Sequence, residues 1–126
     1  QKAARPHLVG VGSSAAYLPL PRAEAYGASK AAVAYLLKTL NITLASHHID
    51  VSLVCPGFVK TPLTDLNDFS MPFLITTEQA SKYIRKGIAK RKTEIHFPKR
   101  FTYLMKAFSY LPQSLWGFIA NKMIKK

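Results

Sequence analysis

The sequence predicts an α/β fold: the C-terminal part of a doubly wound parallel sheet with helical crossovers, followed by basic amphipathic helices. Three observations lead there. Short glycine- or proline-bounded apolar runs alternate with helical patterns in the order strand, helix, strand, helix, strand, helix, which is the signature of parallel strands joined by crossovers. The runs lack the clean polar alternation of a half-exposed strand, so they read as buried on both faces. Finally, only three such runs are present where a doubly wound sheet has at least about five, so further strands are expected to precede Gln1.

His7 to Gly12 (HLVGVG) is short, β-branched and bounded by glycine, as a buried strand requires, and Ser13 and Ser14 mark its exit. Past a proline-rich stretch, Ala28, Ala32, Tyr35, Leu36, Thr39, Leu40 and Thr43 fall at helical spacing and predict a long helix over about 25–46. Ile49 to Cys55 (IDVSLVC) is the second strand, ended by Pro56-Gly57. Residues 58–75 show no period and end in the apolar cluster Met71 to Ile75, which suits a loop or short-helix lid. Thr76 with Gln79 forms a capping box opening a helix to about Lys92. TEIHFP is the third strand, and the tail from Lys99 carries two amphipathic patterns divided by Pro112. The organisation expected is a catalytic α/β unit over 1–98 with a helical tail over 99–126.

The net charge of +12 is placed unevenly. Residues 1–81 hold six Lys/Arg against five Asp/Glu, whereas residues 82–126 hold twelve against the single acid Glu94. Such asymmetry draws the last third toward an anionic surface. The one cysteine, Cys55, lies in an apolar run, which excludes an internal disulfide and fits a buried thiol in a reducing, cytoplasmic setting. No apolar stretch approaches the roughly 20 residues needed to cross a bilayer, so membrane contact is expected to be peripheral.

Chemistry concentrates near the strand ends. Tyr26 and Lys30, spaced i, i+4 at a helix start, project from one face. A phenol with a pKa near 10 is a poor base, but an ammonium about 4 Å away favours phenolate by roughly 4 kcal/mol at an effective dielectric of 20, lowering that pKa by about three. Ser13 follows a strand at the sheet's carboxyl edge, where open α/β sheets bind ligands, and its hydroxyl can donate to an oxygen on which charge develops. Ser14 is the competing candidate, and a plain Ser-Ser turn is the simpler structural reading. Pro56-Gly57 lies at the next carboxyl edge. Glycine there permits close approach of a flat ring, and the backbone of Val59 and hydroxyl of Thr61 can bind an amide; a turn that merely ends a strand fits equally. His47-His48 stand at a helix C-terminus with no carboxylate or thiolate cluster, which favours a structural role over metal binding.

Together GSSAA, YGASK and CPGFVKTP resemble, in order and spacing, the short-chain dehydrogenase/reductase family, closely from Leu8 to Pro62 and in outline beyond. The resemblance implies the C-terminal half of a Rossmann-like domain. It implies Ser13 as the group that positions the substrate oxygen, Tyr26 as the proton-exchanging residue, and Lys30 as the cation that tunes Tyr26 and holds the nicotinamide ribose. It places Pro56, Gly57, Val59 and Thr61 against the nicotinamide and its carboxamide. The implied cofactor is NAD(P)(H), NADP slightly preferred, although the family's phosphate loop and its catalytic asparagine fall before Gln1. The chain alone is therefore expected to be inactive. AAY after the serines departs from a glycine common in the family and is expected to alter loop shape.

The tail interleaves Phe101, Tyr103, Phe108, Tyr110, Trp116 and Phe118 with basic residues, as suits a helix lying in a membrane interface, while the alternative is that its apolar faces cover the sheet. Lipid contact would favour a hydrophobic substrate: a sterol, retinoid or long-chain acyl ketone. Nucleic acid fits less well, because the aromatics share an amphipathic face instead of forming a stacking platform. The remaining alternative is a non-catalytic module that dimerises, as a homo-oligomer, through the long helix.

Overall fold

The computed structural model describes residues 4–62, 71 and 73–124. Its elements are β1 (His7–Val11), a 3₁₀ turn (Ser14–Tyr17), α1 (Glu24–Leu44), a second 3₁₀ turn (Ala45–His47), β2 (Asp50–Pro56), α2 (Thr77–Ala89), β3 (Glu94–Phe97), α3 (Lys99–Phe108) and α4 (Gln113–Ile124). The strands form one parallel sheet in the order β1-β2-β3. His7 lies opposite Asp50 and Val11 opposite Val54; Leu53 lies opposite Glu94 and Pro56 opposite Phe97.

Alternation of side chains along a strand sorts the molecule into two layers. Val51, Leu53 and Cys55 face α1, packing with Ala34 and Leu37, while Val54, Ile95 and Phe97 pack with Ala80 of α2 and with Ile84 and Ile88 on the other side. α3 lies on the α1 side, where Lys106 meets Glu94 and Thr102 meets His96. The sequence expectation of strands buried on both faces holds for β2, whose Val51 to Cys55 are all buried. β1 departs from it: Leu8, Val9 and Val11 are exposed. The reason is helix cover: the apolar clusters that join helices to the sheet do so at β2 and β3, and none of the clusters takes in Leu8, Val9 or Val11.

α1 begins at Glu24, and hydroxyls along it, Ser29 to Tyr26 O, Thr39 to Tyr35 O and Thr43 to Thr39 O, donate back to the preceding turn, so these polar groups are satisfied within the helix. The chain leaves through His48 in the left-handed region, whose N–H donates to Ala45 O. α2 starts with the expected capping box: Thr76 Oγ1 accepts from Gln79 N at 3.1 Å and Gln79 Oε1 from Thr76 N at 2.9 Å. Its far end is pinned to β2 by Arg91, which donates to Asp50 at 2.6 Å and so holds that carboxyl below the usual range. The tail is not detached. Phe101 and Met105 of α3 and Trp116 and Ala120 of α4 enclose Leu18, and Trp116 Nε1 donates to Pro19 O at 2.6 Å.

Candidate active site

Two sheet-edge loops and one helix start make the site. β1 ends where Gly12 N donates to Val54 O at 2.6 Å, and Ser13 follows in extended conformation. Ser13 is buried; its Oγ accepts from Ala15 N at 3.1 Å and caps the 3₁₀ turn. A hydroxyl so used keeps its hydrogen to donate. Ser14 is buried inside that turn. The loop is pressed to the start of α1, where a Cβ on Gly27 would come 3.9 Å from the Ala15 carbonyl oxygen.

Tyr26, in the first turn of α1, is 55% exposed. Lys30 Nζ stands over the Tyr26 ring, 5.8 Å from its centroid. The i, i+4 pairing expected from sequence is thus present as a cation over a ring face, and among the described residues no hydrogen bond joins the two. Between the serine loop and α1 runs a half-open groove of about 330 Å³ lined by Ala15, Leu18, Leu20, Ala23 and Ala31 among others.

At the carboxyl end of β2, Gly57 N donates to Phe97 O at 2.8 Å. The room a side chain would take at Gly57 is filled by the chain itself: a Cβ there would meet Phe101 Cδ2 at 3.0 Å and Pro98 Cδ at 3.2 Å. On that side the glycine admits the α3 ring. Beyond it, Val59 bridges Ile75, with Lys60 N donating to Ile75 O at 2.8 Å and Ile75 N to Phe58 O at 3.1 Å, so the two ends of the 58–75 segment are tied together. Thr61 lines a shallow cleft of about 270 Å³ with Lys60, Pro62, Thr76, Thr77 and Glu78. Of the expected lid, residues 63–70 and Pro72 lie outside the described residues; Phe73 lies with its ring 6.2 Å from that of Phe101.

A family model described as short chain dehydrogenase matches residues 2–69, more than half of the chain, taking in the serine loop, the start of α1 and the turn from Pro56 to Pro62. The chain belongs to the short-chain dehydrogenase family. It is 36% identical over 119 residues to an uncharacterized oxidoreductase of Myxococcus xanthus, covering 94% of this chain and 47% of that protein. Against the 11-beta-hydroxysteroid dehydrogenase-like 3 of Arabidopsis thaliana it is 33% identical over 106 residues, 79% of this chain and 34% of that one. Among solved structures, a short-chain dehydrogenase from Sphingobium yanoikuyae in complex with NADPH superposes with a TM-score of 0.65 at 24% identity, over 86% of this chain and 46% of that one. A bulky-bulky ketone specific alcohol dehydrogenase from Comamonas testosteroni gives 0.62 at 25%, over 86% and 44%. The chain spans less than half the length of each of these relatives.

Within this family member lies a polar cluster that its sequence did not disclose. Tyr17, four residues after Ser13, donates its phenol to Glu94 Oε2 at 3.1 Å, and Lys106 of α3 donates to the same oxygen. Lys38 Nζ stands 4.0 Å from Glu94 Oε1. Although burial opposes ionisation, the Lys106 bond and charge, with the Tyr17 hydroxyl, hold the Glu94 carboxyl below its ordinary range. Burial, Cys55 and Glu94 together push the Tyr17 phenol far up, so it remains a donor. Beside them buried His96 shares its Nδ1 hydrogen bond with Thr102 Oγ1 at 2.6 Å, and its Nε2 lies 3.3 Å from Lys99 Nζ. The AAY departure is therefore an anchor: its tyrosine ties the serine loop to β3 and α3. The sequence signal for it was Glu94, the single acid in a basic third.

Proposed function

We propose that this chain is the C-terminal half of an NAD(P)-dependent oxidoreductase that interconverts a hydrophobic alcohol and its ketone by Ser-Tyr-Lys catalysis. The observation that supports the reading is the packing of the turn that Ser13 caps against the start of α1, the helix in which Lys30 Nζ stands over the Tyr26 ring. Parallel sheets take ligands at the carboxyl edge, where Ser13 follows β1.

In this reading Ser13 donates its hydroxyl hydrogen to the substrate oxygen, and Tyr26 Oη gives a proton to that oxygen in reduction or takes it back in oxidation. Lys30, whose Nζ stands over the Tyr26 ring, is the cation that would hold the nicotinamide ribose. The nicotinamide, when bound, supplies or accepts the hydride. Tyr26, Lys30, Pro56, Gly57, Val59 and Thr61 are the residues of this chain that would hold it: the first two lie in the opening turns of the helix that follows β1, and the other four lie at or just past the carboxyl end of β2. The apolar lining of the groove beside the serine loop supports a bulky, apolar substrate. The preference for NADP over NAD is part of the proposal and has no selector residue in this chain.

The test uses the full-length protein, following absorbance of the reduced nicotinamide with a panel of bulky apolar ketones. Tyr26→Phe is expected to lower kcat by roughly 10²- to 10⁴-fold with the fold intact. Turnover undiminished in Tyr26→Phe would overturn the assignment.

A second reading concerns assembly. α1 presents Tyr35, Leu36 and Ile42 to solvent, at 77%, 56% and 78% exposure, which supports pairing of two copies through this helix.

A further inference from the structure

α3 and α4 are apolar on two sides. One side is spent on the core, where Phe101, Met105, Trp116 and Ala120 are buried. The other remains in solvent. Tyr103 (58%) and Leu104 (47%) of α3, Tyr110 (89%) in the turn between, and Leu115 (45%) and Phe118 (58%) of α4 are exposed although inward positions of both helices are filled. A helix that only covered a sheet would carry polar residues there.

Charge separates the candidate occupants of this face. From Ile95 to Lys126 the sequence holds no acidic residue. Among the described residues the cations Lys99, Arg100 and Lys122 make no ion pair, and Lys106 is turned inward to Glu94. The exposed rings are bordered by ammonium groups: Lys99 Nζ lies 5.8 Å from the Tyr103 centroid and Lys122 Nζ 4.5 Å from that of Phe118. A second copy of the chain seated here would set cations against cations. A nucleic-acid backbone would satisfy the lysines but leave Leu104, Leu115 and Phe118 in water. An anionic bilayer satisfies both, with phosphates and carboxylates at the level of the ammonium groups and acyl chains beneath for the aromatic and aliphatic tips.

We propose that the outward face of α3 and α4 is a docking surface for an anionic lipid bilayer. Through this face the contact is peripheral, because α3 and α4, of 10 and 12 residues, are each too short to cross a bilayer. It needs no catalysis and stands apart from the oxidoreductase assignment. On the inward side Trp116 fastens α4 to Pro19, which lines the groove beside the serine loop, so the docking face belongs to a helix that borders that groove.

The experiment is flotation of the full-length protein with vesicles of phosphatidylcholine and phosphatidylserine, and with phosphatidylcholine alone. Binding is expected to the anionic vesicles at low salt, to weaken severalfold when salt shortens the range of the charges, and to be weak on neutral ones. Phe118→Ser with Leu115→Ser is expected to lower the partition coefficient about tenfold, with unchanged circular dichroism and thermal midpoint because both residues are outward. No flotation at low salt would overturn the proposal. So would equal partition of the double variant, which would leave charge attraction without an apolar footprint, or retention by duplex DNA in preference to vesicles.

Discussion

Acid should loosen this protein through His96 before its carboxylates titrate. The ring is buried on the α3 side of β3, its side chain 7% exposed. Thr102 Oγ1 donates to Pro98 O at 3.2 Å, so it accepts from Nδ1–H of His96, and the remaining lone pair on Nε2 faces the Lys99 ammonium at 3.3 Å. A proton arriving at Nε2 would meet that ammonium head on. Burial, Lys106 and Lys99 together outweigh the Glu94 carboxylate 3.9 Å away and lower the His96 pKa from 6.5 to about 4. Because the folded value lies below the unfolded one, the unfolded chain takes up the proton first. Stability is complete above the unfolded pKa and falls as pH drops toward 4. The full difference amounts to about 3 kcal/mol, of which about 2 kcal/mol is lost between about pH 7 and pH 5. Glu94 and Asp50 stay ionised in that window, since their pKa values are lowered. The assay is the urea midpoint of the full-length protein at the two pH values, for the native sequence and for His96→Gln, which cannot titrate. A fall of similar size in both proteins, or a His96 ring that titrates near 6.5 by NMR, would refute the reasoning.

Other expectations are simpler. At Gly87 an added Cβ would come within 2.6 to 2.8 Å of three carbons of Ile95, a stiff β-branched side chain in the core, so Gly87→Ala is expected to cost about 1 kcal/mol net of its better helix propensity. Thermal denaturation would read this, and a stabilised variant would mean that the α2 to β3 packing is looser than the geometry says. Ile42→Glu is expected to convert the proposed homo-oligomer to monomer in light scattering without loss of helix; an unchanged mass would exclude α1 as the contact.

Local pattern made most of the fold legible. The capping box at Thr76 and Gln79 is a four-residue signal, and the strands at His7, Asp50 and Glu94 each carry their apolar composition within a few residues. The strand-edge serine and the Tyr26/Lys30 pair were likewise local spacings. What the pattern left dark depends on distant partners. Glu94 gathers Tyr17, Lys38 and Lys106 from three separate elements, and no window along the sequence contains them together. Gly57 likewise has a neighbour that no local window shows, since the space on its Cβ side is closed by Phe101, some forty residues on in α3. The exposure of β1 was similarly hidden, since composition reports that a strand is apolar but not which helices cover its faces.

The two tyrosines flanking the proline-rich stretch illustrate how such distant contacts bear on chemistry. Both are nine residues apart in sequence and near the same loop, so either phenol would serve a proton-transfer argument made from composition alone. Their surroundings part them. Tyr17 is half-buried, donates to Glu94 and is pushed away from ionisation by burial, by Cys55 and by that carboxylate, so at neutral pH it can only hold its proton. Tyr26 stands at the surface with an ammonium over its ring. Separation of this kind, one titratable group fixed and its neighbour left open to a cation, is how a site assigns roles to chemically identical side chains. In the proposed enzyme Tyr17 therefore belongs to the scaffold: by fastening the loop four residues beyond Ser13 to β3 and α3, it fixes where the serine hydroxyl stands relative to the phenol that moves the proton.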